Sequence, residues 1–184
     1  MKLVQYYIIL FFLLLIVGIE SIQLVNSKNQ QSGEGDSFLP MVYENQIAQA
    51  ASTDGLEIIN PEFHQLLNKK QINQPMLILR YSGLSCKGCV QSCLSALRRQ
   101  FPNYEANNRI LIVVSDVSAS QIPANSLVLN AIEVLGYDLE GTRIPHFFVY
   151  DPMTQKIQHT FVPDQSDLNA IPIYLSTISG RYGL

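Results

Sequence analysis

Three short apolar runs in the chain have the length of buried strands. They are Met76–Leu79, Arg109–Val114 and His146–Tyr150, and the first two are apolar enough to be covered on both faces of a sheet. Between the first and second runs, apolar residues recur with the 3.6-residue period of a helix that buries one face. The residues on that stripe are Cys89, Val90, Cys93, Leu94, Leu97 and Phe101. Strand, helix and strand therefore predict a βαβ unit with parallel strands.

Weaker patterns extend this unit on both sides. Asn60-Pro61 has the form of a helix N-cap followed by proline at the first helical position. After the third strand, a turn at Asp151-Pro152 is followed by the alternating run Lys156–Val162, and this order predicts a hairpin. The full set of further elements predicted is an edge strand at Leu56–Ile59, a second helix at Leu127–Leu135 ended by Gly136, the hairpin strand Lys156–Val162 and a closing helix in Asp167–Leu184.

The beginning of the chain is a targeting element. Residues 1–26 combine a positive start with the unbroken apolar run Ile8–Ile19, which has the length of a signal-peptide core and, counted from Leu3, just reaches the lower end for a membrane span. Both a cleaved signal and an uncleaved anchor fit, and either one predicts export. Residues 27–53 are a polar tether that ends in a short candidate helix, and residues 54–184 form the folded domain.

Composition narrows the classes of function. The net charge of −3 and the lack of a basic cluster give no sign of nucleic-acid binding. All three cysteines lie between Cys86 and Cys93, whereas a disulfide-stapled fold would spread an even number along its length. These cysteines therefore indicate a site. No second CxxC and no histidine pair completes a set of four ligands, so a structural zinc site is not predicted.

The pair Cys86 and Cys89 lies where the predicted helix begins. A spacing of three places both cysteines on one helix face, where they can close and reopen a disulfide. The free N–H groups and the positive dipole end of the helix favour the thiolate of the first cysteine. Because a thiolate is the attacking species in thiol–disulfide exchange, the pattern favours redox chemistry over two buried apolar cysteines.

The strand, the CxxC turn at a helix start and the later Ile144-Pro145 that opens a strand resemble the thioredoxin-like superfamily. The chain is most similar to its exported or membrane-tethered TlpA-like and AhpC/TSA-like redoxins, over about Asp54 to Leu184. The resemblance implies an α/β fold, a three-layer sandwich in which helices flank a central mixed sheet behind an N-terminal apolar segment.

The resemblance also assigns roles to single residues. In the family the first cysteine attacks and the second resolves the mixed disulfide, which here are Cys86 and Cys89. Pro145 corresponds to the family's cis-proline, and Ile144 before it corresponds to the residue that binds an extended substrate segment. The resemblance implies protein thiol or disulfide clients and a redox partner protein, and neither a metal nor an organic cofactor.

Several positions depart from the family. The chain has no tryptophan, so Ser85 precedes the first cysteine, and Gly88 stands where many relatives have proline. Arg80 takes the place of the buried acid of thioredoxin. We expect Arg80 to reach water at the strand end, because an unpaired buried guanidinium is costly. If it approaches the cysteines instead, it would stabilise the Cys86 thiolate, as Lys87 would.

Two further readings of the site stay open. Cys93 fits a small core residue, but Cys89 and Cys93 with His146 or His159 would also form a soft copper site, as in copper-delivery relatives. The fold could also serve as a non-catalytic binding module with dispensable thiols. No Pro-x-x-x-Thr-x-x-Cys pattern leads into Cys86, so a peroxidase ranks lower. The sequence therefore predicts an exported thiol–disulfide oxidoreductase located outside the cytoplasm, in the bacterial periplasm, secreted or held at the membrane.

Overall fold

The computed structural model describes Ala48 and residues 51–129 and 135–184. Residues 51–53 are helical, and the elements that follow alternate between helices and strands. In chain order they are α1 (Pro61–Lys70), β1 (Met76–Ser82), α2 (Lys87–Gln100), β2 (Ile110–Ser115), β3 (Ser126–Leu129), β4 (His146–Asp151), β5 (Lys156–Phe161) and α3 (Ala170–Tyr182). Short 3₁₀ turns lie at Tyr104–Ala106, Ala119–Gln121 and Asp138–Thr142.

The five strands form one mixed sheet in the order β3-β2-β1-β4-β5. β1 pairs in parallel with β2, and β2 in parallel with β3, as expected for strands joined by a crossover helix. β4 runs antiparallel to β1, and β5 returns antiparallel to β4 as a hairpin. The predicted βαβ unit and hairpin are both confirmed, and they join where β4 of the hairpin pairs with the central strand β1.

Alternation along the strands divides the core into two apolar layers. On one face, Ile78 of β1 packs with Phe63 and Leu67 of α1. On the other face, Leu79 of β1 packs with side chains of α2 and α3. The contributors from these two helices are Cys93, Ala96, Leu97, Ile171, Leu175 and Ile178. Helices therefore cover both faces of the sheet, which confirms the three-layer arrangement.

The first helix begins as its sequence predicts. The Asn60 side chain accepts a hydrogen bond from the Phe63 N–H at 2.9 Å, and Pro61 occupies the first helical position. The predicted edge strand just before it, Leu56–Ile59, is reduced to a single bridge between Glu57 and Lys156. Ile59 instead donates its N–H to the Leu135 carbonyl. The end of this segment is therefore bonded to a residue outside the five strands.

The helix predicted over Leu127–Leu135 is wrong for its first residues. Ser126–Leu129 is a parallel edge strand, in which Leu127 lies opposite Val113 of β2. The physical reason is that the outer side of β2 needs hydrogen-bond partners, and this demand outweighs a weak helical period in a run containing β-branched Val128. Residues 130–134 lie outside the described part of the chain.

The predicted apolar segment of residues 1–26 lies outside the described residues, as does nearly all of the tether. Within the described ranges, no helix has the length and apolarity needed to cross a membrane.

Candidate active site

The turn between β1 and α2 is fixed against the end of β2. Gly83 donates its N–H to the Ser115 carbonyl at 2.7 Å, and the Ser82 hydroxyl donates to the Asp116 carboxylate at 3.2 Å. A Cβ on Gly83 would lie 1.9 Å from the Asp116 carbonyl oxygen, so only glycine fits this crossing. The loop that carries the cysteines is therefore held at the carboxyl end of the parallel strands, where α/β folds place their sites.

Cys86 is the N-cap residue of α2. Its sulfur accepts a hydrogen bond from the Cys89 N–H at 3.4 Å, and its side chain is exposed. Cys89 lies one turn into the helix and is only 7% exposed. The helix start predicted from the sequence is confirmed, and the two sulfurs differ sharply in their access to solvent.

This difference in environment separates the two thiols electrostatically. The Cys89 thiol, hydrogen-bonding to the Cys86 sulfur, lowers the pKa of Cys86, and the N–H groups of Cys89 and Gly88 lower it further. Burial raises the pKa of Cys89, and the thiol contact with Cys86 raises it again. At neutral pH the exposed sulfur is therefore the better candidate for the attacking thiolate.

Cys93 lies one further turn along α2, inside the core. It is fully buried on the stripe that packs against the sheet, and burial raises its pKa to about 12. A thiol in this environment stays protonated at physiological pH and behaves as a small apolar side chain.

A glutamine that sequence reasoning missed lies against both sulfurs. Gln165, in the loop between β5 and α3, places its amide nitrogen 3.1 Å from the Cys89 sulfur and 3.4 Å from the Cys86 sulfur. This donor also lowers the pKa of Cys89, against the effect of burial. No pattern in the sequence marks the residue, because it lies 76 positions beyond Cys89 in an irregular loop.

Ser85 joins the cysteine loop to the loop that precedes β4. Its hydroxyl donates to the Arg143 carbonyl at 2.6 Å and accepts from the Ser82 N–H at 3.1 Å. The contact brings the predicted substrate-facing pair Ile144-Pro145 next to the cysteine turn. Ile144 is 37% exposed. Its carbonyl accepts from His146 Nδ1 at 2.9 Å and its N–H donates to the Thr142 hydroxyl at 3.4 Å, so both backbone groups already have partners within the chain.

The prediction of a cis bond before Pro145 is wrong. The described residues contain no cis peptide bond, so the Ile144–Pro145 bond is trans. Arg143 adopts a left-handed conformation, with φ of 57°, and thereby turns the chain just ahead of β4. With the turn made there, the trans form, which X-Pro bonds favour intrinsically, leads into the strand.

Arg80 does not reach water, contrary to expectation. It is 2% exposed and donates from Nε to the Glu140 carboxylate at 2.7 Å and from a terminal nitrogen to the Ser115 hydroxyl at 3.0 Å. Strand alternation directs it to the same face as Ile78, opposite the face that α2 covers. A buried arginine requires an acidic partner. This requirement is the one from which the role of Glu140 could have been inferred. The proposed tuning of the Cys86 thiolate by Arg80 or Lys87 stays a prediction.

A buried histidine lies beside this ion pair. The Tyr137 hydroxyl contacts His146 Nε2 at 2.7 Å, and Nδ1 of the same ring bonds to the Ile144 carbonyl. Burial lowers the pKa of His146 to about 4. Arg80, Glu140, Tyr137 and His146 are hereafter the buried polar cluster. With both ring nitrogens occupied, His146 is a poor candidate for the third ligand of a copper site.

The other candidate ligand lies in the hairpin. His159 is part of β5, and its ring packs on Tyr182 of α3. Among the described residues, no group of three histidine, cysteine or acidic side chains is arranged to hold a metal ion.

Comparison with known proteins finds no matching family model and no similar curated protein. Solved structures give distant similarities. A secreted thiol-disulfide isomerase from Corynebacterium glutamicum is 15% identical, with 59% of this chain and 75% of that chain covered and a TM-score of 0.37. A DsbF homologue from Corynebacterium diphtheriae is 13% identical, with 56% and 73% covered and a TM-score of 0.36. Plasmodium yoelii thioredoxin peroxidase I is 13% identical, with 61% and 78% covered and a TM-score of 0.35.

The fold assignment rests on the strand order and on the cysteine helix rather than on these distant overlays. A parallel β1-α2-β2 unit joins an antiparallel β4-β5 hairpin through the central strand, and the CxxC pair begins the helix after that strand. The described part of the chain has the thioredoxin-like fold.

Proposed function

We propose that the protein is an exported thiol–disulfide oxidoreductase that acts on protein thiols or disulfides through Cys86 and Cys89. The observation that carries the proposal is the asymmetry of the pair. Cys86 is an exposed N-cap thiol with a lowered pKa, and Cys89 is a buried thiol in contact with it. Two core cysteines without a redox role would not require one sulfur exposed at the positive end of a helix.

The pair supports a two-step exchange. The Cys86 thiolate attacks one sulfur of a client disulfide, forming a Cys86–client bond and releasing the other client sulfur as a thiolate, which takes a proton from water. The Cys89 thiolate then attacks the Cys86 sulfur, closing the Cys86–Cys89 bond and releasing the second client sulfur. Two electrons pass to the client, and a dithiol partner protein restores the reduced pair. Running the steps backward oxidises a client.

The surface around Cys86 suits an apolar client segment. Leu84 is 57% exposed in the turn before Cys86, and Ile144 is exposed on the loop that Ser85 holds beside it. We propose that Ile144 and Pro145 contact the client, mainly through the apolar side chain of Ile144, since its backbone groups are already bonded. Lys87, exposed beside the attacking thiol, adds positive charge at the edge of this surface.

The proposal that the protein works outside the cytoplasm rests on the apolar N-terminal segment, which fits a signal or an anchor. An oxidising compartment would supply the protein disulfides that the pair can use. Fractionation of cells that express the tagged full-length chain tests the location. A tag recovered only with cytoplasmic proteins would contradict it.

Trapping of mixed disulfides tests the activity. Cys89→Ser should accumulate mixed disulfides between Cys86 and client proteins, because the attacked bond can no longer be resolved from within. Cys86→Ser is the matched control and should accumulate none. Alkylation of the reduced parent below pH 7 should modify Cys86 first. If Cys86 alkylates no faster than an unfolded cysteine and Cys89→Ser traps nothing, a non-catalytic binding module is the better account.

A further inference from the structure

The second step of the proposed exchange requires a thiolate at Cys89. This sulfur is buried, and burial raises its pKa. The resolving step depends on the thiolate form, so a raised pKa slows it at neutral pH. A donor that reaches the Cys89 sulfur would offset this effect.

Gln165 supplies such a donor from outside the helix. Its side-chain nitrogen carries two hydrogens, and the two sulfurs lie at 3.1 and 3.4 Å from it, so one amide group can bond to both. The shorter contact is to Cys89, the sulfur whose ionisation is less favourable. The amide nitrogen is the end of the side chain that a thiolate requires, since the carbonyl oxygen would repel it.

The loop around Gln165 is held on both sides. The Asp164 carboxylate accepts from the Ser166 N–H at 2.7 Å, and the Asp164 carbonyl accepts from the Asp167 N–H at 3.2 Å. Val162, just before this turn, is buried in the core. Hydrogen bonds within the loop therefore hold the backbone on both sides of Gln165, and the exposed Gln165 side chain reaches the two sulfurs from this loop.

We propose that Gln165 is a further catalytic residue of the exchange reaction, whose amide bridges the two sulfurs and holds the Cys89 thiolate against Cys86 for the resolving step. The inference rests on the proposed function. In that step the Cys89 thiolate forms a bond to the Cys86 sulfur, the Cys86–client bond breaks, and the client sulfur leaves with the electron pair. The amide donates hydrogen bonds throughout and neither gains nor loses a proton.

A two-phase reaction with dithiobis(nitrobenzoic acid), a coloured disulfide, separates the two steps. The reduced full-length chain releases one coloured thiolate when Cys86 attacks and a second when Cys89 resolves. We expect Gln165→Ala to slow the second phase about tenfold at pH 7, the loss expected when a hydrogen bond to a charged group is removed, and to change the first phase much less. The second phase should also need a higher pH to reach half its maximal rate.

Two comparison variants sharpen the test. Gln165→Glu keeps the shape but presents a carboxylate, so it should slow the second phase more than Gln165→Ala does. Gln65→Ala removes an exposed glutamine of α1 and should leave both phases unchanged. Cys86 and Cys93 on α2 interact with Cys89, Lys87 follows Cys86 on the same helix, and Asp164 precedes Gln165 in its loop. The profile is followed above pH 5, where Asp164, whose pKa is lowered by its hydrogen bonds from Ser166, stays ionised.

The outcomes distinguish this inference from the proposed function. If the parent reacts in a single phase no faster than a free thiol, the oxidoreductase proposal itself fails. If the parent shows two phases and both Gln165 variants match it in the second phase and in its pH profile, only the role of Gln165 fails. Equal slowing of both phases together with a lowered thermal midpoint would assign Gln165 a structural role and would also overturn the inference.

Discussion

Two groups of polar side chains lie near the end of β1, and they differ in how completely their members are paired. In the buried polar cluster, Arg80 meets Glu140 at 2.7 Å and Tyr137 meets His146 at 2.7 Å, all nearly excluded from solvent. In the cysteine site, the contacts of Gln165 to sulfur are 3.1 and 3.4 Å, and Cys86 is exposed.

This difference in pairing suits the buried polar cluster to stabilising the fold and the cysteine site to reacting. A buried, hydrogen-bonded ion pair holds both side chains in one geometry, and losing either partner lowers the free energy of unfolding by several kcal/mol. Weak sulfur contacts at a helix start leave Cys86 free to ionise and to form a bond to a client sulfur. The two groups face opposite sides of the sheet, so one strand end supports a rigid cluster and a reactive one.

The largest effect on exchange should come from Cys86→Ser. We expect this change to abolish insulin reduction, because no other exposed thiol is present among the described residues. The free energy of unfolding should stay within about 0.5 kcal/mol of the parent, since serine is itself a favourable N-cap. Urea unfolding and an insulin assay on the same preparation measure both quantities.

Cys93→Ala is the matched control for that change. It removes a buried thiol and should cost about 1 kcal/mol of unfolding free energy while leaving exchange per folded molecule unchanged. If folded Cys93→Ala protein lost exchange activity, the interpretation of Cys93 as a core residue would be contradicted.

The largest effect on stability should come from Arg80→Met. Removing the arginine leaves Glu140 buried without its partner, which should lower the free energy of unfolding by about 3–5 kcal/mol. The double variant Arg80→Met/Glu140→Leu should recover only part of that loss, because it removes the unpaired buried charge but leaves the Leu135 and Gly136 N–H groups without the carboxylate that accepts from them. Urea titrations compare the two, and equal losses would show that the ion pair is not the cause.

The same Arg80 variant tests how separate the two groups are. We expect its Cys86 alkylation profile against pH to match that of the parent, since the charge faces the opposite side of the sheet. A profile displaced to higher pH would instead establish Arg80 as a group that tunes the thiolate, the alternative that the sequence left open.

Acid should weaken the buried polar cluster through His146. Its folded pKa of about 4 lies below the ordinary value of 6.5, so the unfolded chain binds a proton first as the pH falls. The stability that depends on neutral His146 is complete above pH 6.5 and is lost as the pH falls toward 4. The loss should reach about 3 kcal/mol. His146→Gln should flatten the dependence of the unfolding free energy on pH between 6.5 and 4. An unchanged slope would contradict the assignment of this loss to His146.

The sequence predicted what depends on local pattern. Apolar runs located β1 and β2, and Asn60-Pro61 located the start of α1, because burial and capping are readable from neighbouring residues. β3 was mistaken for a helix because an edge strand is defined by the strand beside it. Arg80 was misjudged because its partner Glu140 is 60 positions away, and Gln165 was missed for the same reason of distance along the chain.

The most selective effect on exchange is predicted for Ser85→Ala, because the Ser85 hydroxyl connects the cysteine loop with the loop that carries Ile144. The change removes a donor to the Arg143 carbonyl and an acceptor for the Ser82 N–H, which should cost about 1–2 kcal/mol of unfolding free energy. Because the Ser85 hydroxyl bonds to Ser82 and Arg143 rather than to a sulfur, the attack of Cys86 on a small disulfide should proceed at the parent rate. Reduction of insulin should slow severalfold, since a protein client also needs Ile144 held beside Cys86. Parallel rates with the small disulfide and with insulin measure the difference, and equal slowing of both would mean that Ser85 acts on the cysteines themselves.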